Sequence, residues 1–414
     1  MRIKGGTAVS DFIMGVGNAH PKFSIFHSSF SIVKDSNMKY LFATGGTAGH
    51  INPALATASY IREVKPESEI MFIGTADHME ARLVPEAGFD FKTIDIQGFR
   101  RSLSPKAIAR NVNTVIKIVK SERDCKKILQ EFKPDVVIGF GGYVSGPVLD
   151  EAIKLGIPCC IHEQNAFPGI TNKQLAKKVN RVMLTVEDAK NHLDCKNEPV
   201  VTGLPVRGEI LGKDRKAARE ELGIPDDKKL VLSFGGSLGA EPLNEAMLPI
   251  LIRHAEDGSV YHIHSVGTNG RDYLDKFREA GFEEAGEDVL KKGNVEVRLY
   301  ISDMDRCMAA ANLVIGRAGA SSLSEIEAMG KASILIPSPY VAENHQFHNA
   351  MALVNRNAAR IIEEKDLSGE SLGALIDELL ADDNLLFEIE KNAKEMAILD
   401  SRERIADIIF SLEK

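Results

Sequence analysis

The chain has 414 residues, 44% hydrophobic and 27% charged, which suits a soluble protein of two or three domains. A formal net charge of -8 argues against nucleic acid as a partner. Its five cysteines (Cys125, Cys159, Cys160, Cys195 and Cys307) form no C-x-x-C pair, so neither a zinc site nor a disulfide framework is expected.

Residues 1–37 lack sustained periodicity and are expected to be an extension, with no continuous signal-peptide core between Gly15 and Lys34. The apolar runs are strand-sized, none long enough for a membrane span. The first convincing strand follows Met38, in "KYLFAT", and leads through "GGTAGH" (Gly45–His50) into a helix expected to open at Pro53. Strand-like runs follow at Ile70–Ile73, Val136–Gly139, Pro158–His162 and Arg181–Leu184, separated by helical patterns over Lys106–Phe132 and Leu149–Leu155. Such alternation predicts a parallel sheet with helices on both faces. Glycine and proline cluster in "VVTGLPVRGEIL" (Val200–Leu211), a natural connection, and the layout then restarts. "KLVLSFGGSLGAEPLNEAM" (Lys229–Met247) repeats the strand, glycine pair, hydroxyl residue and proline of the opening stretch. The expected organisation is an extension over 1–37, one α/β domain over 38–202, a second over 203–385, and a helical segment over 386–414 that packs back on the first.

Four loops follow a strand and open a helix: Gly45–His50, Gly139–Pro147, Gly235–Ala240 and Gly316–Glu325. Glycine lets a ligand approach the backbone, and free N–H groups at a helix start favour phosphate. Four such loops in a doubled α/β chain favour a nucleotide ligand, although glycine at a strand–helix turn is common without one. The dinucleotide fingerprint G-x-G-x-x-G does not occur, which lowers the dehydrogenase reading. Other readings compete. Ser322 and Glu325 have capping-box spacing. Asp303-Met304-Asp305 matches the D-x-D of metal-dependent sugar transferases, a motif so short that a solvated turn is the plainer reading. Gly235–Gly239 satisfies the nucleophile elbow G-x-S-x-G around Ser237, with Asp303 and His345 following in hydrolase order.

The motifs "GGTAGHINPALA", "GFGGYVSGP", "HEQNAFPGITNK" (His162–Lys173), "TGLPVR" (Thr202–Arg207), "FGGSLGAEPLN", "GRAGASSLSEIEAMG" (Gly316–Gly330) and "ENHQFHNA" (Glu343–Ala350) occur in a fixed order. Together they closely resemble the MurG family of UDP-N-acetylglucosamine:undecaprenyl-diphospho-muramoylpentapeptide N-acetylglucosaminyltransferases, from Met38 to the C-terminus. The resemblance implies a GT-B fold, two Rossmann-like domains facing across a cleft, and an inverting transfer from UDP-N-acetylglucosamine to lipid I that yields lipid II. On the donor side it implies Glu325 for the ribose hydroxyls, and Ser237, Ala320, Ser321 and Ser322 near the diphosphate or nucleoside. Ile301 falls at a uracil contact, Arg207 near the donor, and His345 and Gln346 at the N-acetylglucosamine. On the acceptor side it implies Thr47, Gly49, Tyr143 and Asn165 for the lipid diphosphate and reacting hydroxyl, with His50 at the chemistry.

Single-step displacement at the sugar needs a base, N–H dipoles for the departing diphosphate and exclusion of water; no cofactor is required, and a divalent cation is not indicated. The family motif usually reads G-G-T-G-G-H, whereas Ala48 takes the fourth position here; alanine is inexpensive there if its φ is negative, as expected. Between Phe99 and Lys127 nine Lys and Arg residues face two acidic ones, and Phe99, Arg100, Arg101 and Lys106 mix apolar with cationic groups as a membrane-interface surface does. The expected location is the cytoplasmic face of the membrane, peripherally bound. Alternatives are a GT-B transferase with another lipid or glycan acceptor, a serine hydrolase on the Gly235 elbow, and a non-catalytic UDP-sugar sensor.

Overall fold

The computed structural model describes residues 37–96 and 120–413. Phe99, Arg100, Arg101, Lys106 and the extension before Asn37 lie outside the described residues.

The strands of the first half are β1 (Lys39–Ala43), β2 (Glu69–Gly74), β3 (Asp90–Thr93), β4 (Val136–Gly139), β5 (Cys159–Glu163), β6 (Arg181–Leu184) and β7 (Val200–Val201). They pair in the order β3-β2-β1-β4-β5-β6-β7, all parallel. Its helices are α1 (Ala48–Val64), α2 (Glu80–Glu86), α3 (described over 120–132), α4 (Ser145–Lys154) and α5 (Ile170–Ala176). In the second half α6 (Gly208–Leu211) and α7 (Arg215–Leu222) precede β8 (Leu230–Phe234), α8 (Glu241–Asp257), β9 (Tyr261–Ser265) and α9 (Arg271–Glu279). Then come β10 (Glu283–Gly286), β11 (Val289–Lys292), β12 (Val295–Arg298), α10 (Met304–Ala310), β13 (Leu313–Gly316), α11 (Ala320–Met329) and β14 (Ala332–Leu335). α12 (His345–Val354), β15 (Arg360–Ile361), α13 (Gly369–Ala381), α14 (Asp383–Met396) and α15 (Ser401–Phe410) complete the chain. The second sheet runs β10-β11-β12-β9-β8-β13-β14-β15, so its parallel part β12-β9-β8-β13-β14-β15 repeats the first sheet's connectivity. The hairpin β10–β11 adds an antiparallel edge that has no counterpart among the described residues of the first sheet.

Several of the central strands are continuous apolar runs because both faces are covered. β4, β8, β13 and β14 are buried at every residue. One face of the first sheet carries Leu41 and Val137, which share a core with Leu149 of α4, and the other a ring stack in which Phe42 lies 5.0 Å from Phe72 and 6.0 Å from Phe140. Helix ends follow local chemistry: Asp214 accepts a hydrogen bond from the Ala217 N–H to start α7, and Gly258 in the left-handed region stops α8.

Two helix starts differ from expectation. α1 begins at Ala48, five residues before Pro53, because Thr47 supplies an extended N-cap (φ -132°, ψ 154°) directly after the glycine turn. Pro53 then lies inside the helix, removing the N–H that would have met the Gly49 carbonyl. α11 begins after Gly319, so Glu325 is a full turn too far in to form a capping box with Ser322. The C-terminal segment is also two helices, not one. α14 stays with the second half, against α11 and β14, and only α15 returns to pack on α1. There Lys65 pairs with Glu413 at 2.6 Å and the Tyr40 hydroxyl bonds the same carboxylate.

Candidate active site

Strand order reverses between β1 and β4 in the first sheet and between β8 and β13 in the second. At such points the loops leaving neighbouring strands diverge and open a crevice at their carboxyl ends. The four glycine loops are the four loops that leave these strands.

In the first half His50 sits in the first turn of α1. Its Nδ1 donates to the Gly45 carbonyl at 3.3 Å and lies 3.2 Å from the Thr47 hydroxyl. With Nδ1 protonated against an acceptor-only partner, Nε2 carries the lone pair. Burial pushes the His50 pKa down and nearby His345 pushes the same way, against the Gly45 hydrogen bond, so the ring is neutral at pH 7. The ring is packed against Gly141 (φ +87°), where a β-carbon would meet His50 Cδ2 at 2.7 Å and Nε2 at 3.0 Å. Beside it, a β-carbon on Gly142 (φ +77°) would stand 2.5 Å from the Gly45 carbonyl. The two glycines of the β4 loop thus permit the β1 loop to close on them. Ala48, in the first turn of α1, does not have a positive φ, in keeping with the expectation for that position.

Two further residues shape this site: Glu80 lies outside every motif, and Gln164 lies inside the His162–Lys173 motif without having been singled out. Buried Glu80, at the start of α2, accepts hydrogen bonds from the Gly46 N–H (3.2 Å), the Thr75 N–H (3.0 Å) and the Thr75 hydroxyl (2.7 Å), holding the glycine turn from below. Gln164 donates to the carbonyls of Phe140 and His162, which leaves its Oε1 buried without a partner among the described residues. That oxygen and His50 Nε2 both lie near the position a Gly141 side chain would fill. Tyr143 is half-buried with its ring 6.3 Å from His78, and burial raises its hydroxyl pKa. Thr47 is exposed, and Gly49 lies between it and His50 on the first turn. Asn165 is fixed by Glu163, which accepts from the Asn165 N–H at 2.9 Å and from Asn172 at 2.8 Å.

Asn165 also joins the halves. Asn349 of α12 donates to Asn165 Oδ1 at 3.1 Å and accepts from the Ala166 N–H at 2.8 Å, and Arg356 pairs with Asp188 at 2.8 Å. His348 stacks on Phe167 at 4.6 Å. His162, neutral with its pKa lowered by burial to about 4, donates to the Gly203 carbonyl at the connection between the halves.

In the second half Ser237 is exposed at the tip of the β8 loop, whose backbone is held when Thr268 N–H donates to the Ser237 carbonyl at 3.1 Å. Ala320, Ser321 and Ser322 form the first turn of α11 and are half-buried at its surface. Glu325, one turn on, accepts from Arg207 Nε at 2.8 Å, bringing the inter-domain connection onto α11. Ile301 is buried just after β12. His345 opens α12, its Nδ1 donating to the Ala342 carbonyl at 2.8 Å, while Gln346 Oε1 accepts from the Ser338 N–H at 2.8 Å. Glu343 (φ 54°) and Asn344 (φ 49°) are both left-handed, a strained approach that sets this turn.

The rival readings find no support in this geometry. Asp303 is committed to Arg298 at 2.6 Å and to Arg306, and Asp305 pairs with Lys213 at 3.3 Å, so the D-x-D serves local ion pairs. No hydrogen bond among the described residues joins Ser237 to His345, and the arginine-bound Asp303 orients no histidine.

Two Rossmann-like halves, each with its glycine loops at the switch point of a parallel sheet, are the architecture of a GT-B glycosyltransferase. Residues 40–184 match the glycosyltransferase family 28 N-terminal domain and residues 230–405 the family 28 C-terminal domain. The chain belongs to this family and, within it, to the MurG family. It is 45% identical over 377 residues to the UDP-N-acetylglucosamine--N-acetylmuramyl-(pentapeptide) pyrophosphoryl-undecaprenol N-acetylglucosamine transferase of Acetivibrio thermocellus, covering 91% of this chain and 99% of that one. The Clostridioides difficile protein of the same name is 41% identical, with 91% and 89% covered. Among solved structures, Acinetobacter baumannii MurG superposes with a TM-score of 0.72 at 29% identity, covering 91% of this chain and all of the other. The kitacinnamycin glycosyltransferase, 18% identical with a TM-score of 0.66, shares the fold; 91% of this chain and 99% of that one are covered.

Proposed function

We propose that the chain transfers N-acetylglucosamine from UDP-N-acetylglucosamine to the 4-hydroxyl of the muramoyl sugar of lipid I, forming lipid II. The observation that carries this reading is the division of labour across the cleft. The first half presents His50, its Nε2 carrying the lone pair, packed against the glycine floor at Gly141, and the second presents two helix N-termini with Glu325 and Arg207 alongside. In this reading the diphosphate of the donor lies over the starts of α8 and α11, where Ser237, Ser321 and Ser322 add hydroxyl donors, and Glu325 takes the ribose. Ile301 backs the base, and His345 and Gln346 meet the transferred sugar. His50 Nε2 accepts the proton of the acceptor hydroxyl as its oxygen bonds to the sugar C1; the C1–O bond to the diphosphate breaks, UDP leaves, and configuration inverts. The departing charge is met by N–H dipoles, so the step calls for no metal or cofactor.

Thr47, Gly49, Tyr143 and Asn165 hold the acceptor diphosphate and the hydroxyl. Because that acceptor carries a polyprenyl tail, the first half works at the cytoplasmic membrane face, with the basic stretch from Phe99 to Lys106 against anionic lipid. No described helix is long and apolar enough to cross a membrane. Incubating the protein with UDP-N-acetylglucosamine and a polyprenyl-diphospho-muramoylpentapeptide tests the reading. It predicts a product heavier by one N-acetylhexosamine with a β-anomeric proton coupling. Release of free N-acetylglucosamine alone, or an α linkage, overturns it.

A further inference from the structure

The muramoyl sugar constrains where its peptide goes. The lipid diphosphate is attached at C1, at one end of the ring; the reacting hydroxyl is on C4, and the lactyl ether that carries the pentapeptide is on the adjacent C3. A transfer that places the C4 oxygen against the donor sugar therefore releases the peptide beside that sugar, on the side away from the acceptor diphosphate. Here that neighbourhood is the turn holding His345 and Gln346.

A cavity of about 320 Å³ opens there, between the segment after β14 and the segment after β15. Pro337, Pro339, Tyr340 and Phe347 give it apolar walls, and Asn344 and Glu363 give it polar ones. Asn344 and Phe347 flank His345 and Gln346 in sequence, and the Ser338 N–H that fixes Gln346 lies between the lining residues Pro337 and Pro339 in the chain. The volume sits at the lower end of small-ligand pockets, sized for a short run of peptide. Tyr340 is 88% exposed, the most exposed of the large apolar side chains described, and it stands beside two prolines whose rigid backbone costs no ordering on binding. Glu363 and Lys365 pair with each other at 3.2 Å across the polar rim, offering both signs of charge to a peptide with both. Lipid, by contrast, would leave these polar groups without partners.

We infer that the cavity between Pro337 and Lys365 receives the stem peptide of the acceptor, with Tyr340 as its platform, so that the second half reads the acceptor as well as the donor. This rests on the lipid I reading above. Transfer is compared for two acceptors that differ only in the peptide, one carrying the pentapeptide and one ending at the lactyl group. Tyr340→Ala, at an exposed position, and Phe347→Ala are the variants. The Tyr340→Ala variant is expected to raise KM for the pentapeptide acceptor about tenfold while KM for the peptide-free acceptor and for UDP-N-acetylglucosamine stays within about twofold. A photoreactive group on the pentapeptide is expected to label residues 337–347. Equal losses with both acceptors, unchanged KM for both, or labelling confined to the first half overturns the inference. Absence of acceptor-dependent transfer by the wild type with either acceptor overturns the lipid I reading itself, and this inference with it.

Discussion

At the residue scale the site depends on a few atoms. Gly141 is the floor under His50, and any side chain there must both adopt a left-handed φ and displace the imidazole. Gly141→Ala is expected to lower kcat about tenfold or more while the melting temperature drops by only a few degrees, measured by UDP release and thermal unfolding. The histidine's own chemistry gives a pH dependence. Because burial holds its pKa below 6.5, the neutral ring persists as pH falls through 6.5, and the acid limb of kcat/KM is expected below that value. A limb above pH 7 contradicts a basic role for this ring. The place of His50 in the first turn of a helix behind a glycine turn was legible in the sequence because the two are adjacent in the chain. Glu80 was not, being a lone acid on a short helix beyond β2; Gln164 lies within a motif, but only folding brings its amide to the β1 and β4 loops.

At the element scale the strands were legible and the helix boundaries less so. β4 and β6 span the residues that the apolar runs mark, because a strand buried on both faces needs nothing but apolar side chains. The start of α1 was misplaced because Pro53 lies inside a helix already begun after Thr47, whereas the proline of α8 does fall in the first turn behind its extended cap, Ala240. The helical pattern over Lys106–Phe132 is described only from residue 120, where α3 follows it to Phe132. The Ser322–Glu325 spacing misled for a related reason: Gly319 caps α11, freeing Glu325 to meet Arg207. Glu325 projects from the same helix whose first turn carries Ser321 and Ser322, and it also holds Arg207, so the donor role proposed for it is read from donor affinity. Glu325→Gln is expected to weaken UDP binding roughly ten- to hundredfold in calorimetry, the worth of one charge-assisted hydrogen bond. Unchanged affinity removes Glu325 from the donor site.

At the scale of the whole molecule, the two halves are repeats tied together by the connection through Gly203 and Arg207, the Asn165–Asn349 bridge and the return of α15. The repeat was visible in the glycine pairs; the bridge was not, because Asn165 and Asn349 lie 184 residues apart. Buried histidines make this assembly acid-labile. His162 is lowered to about 4 and His264 to about 3 by burial, and His262 well below its usual value. As pH falls below 6.5 the unfolded chain takes up these protons and the folded chain does not. Each histidine therefore removes stability at about 1.4 kcal/mol per pH unit until its folded pKa is reached. The urea midpoint is expected to fall steeply from pH 7 to pH 5; a flat profile contradicts the neutral assignment.

The central claim, that proton chemistry resides in the first half and donor binding in the second, is tested most directly by steady-state UDP release from His50→Gln with saturating lipid I. The expected result is kcat lower by roughly 10²–10⁴-fold with KM for UDP-N-acetylglucosamine within about twofold of wild type. Undiminished kcat, or a loss expressed wholly in donor KM, contradicts it.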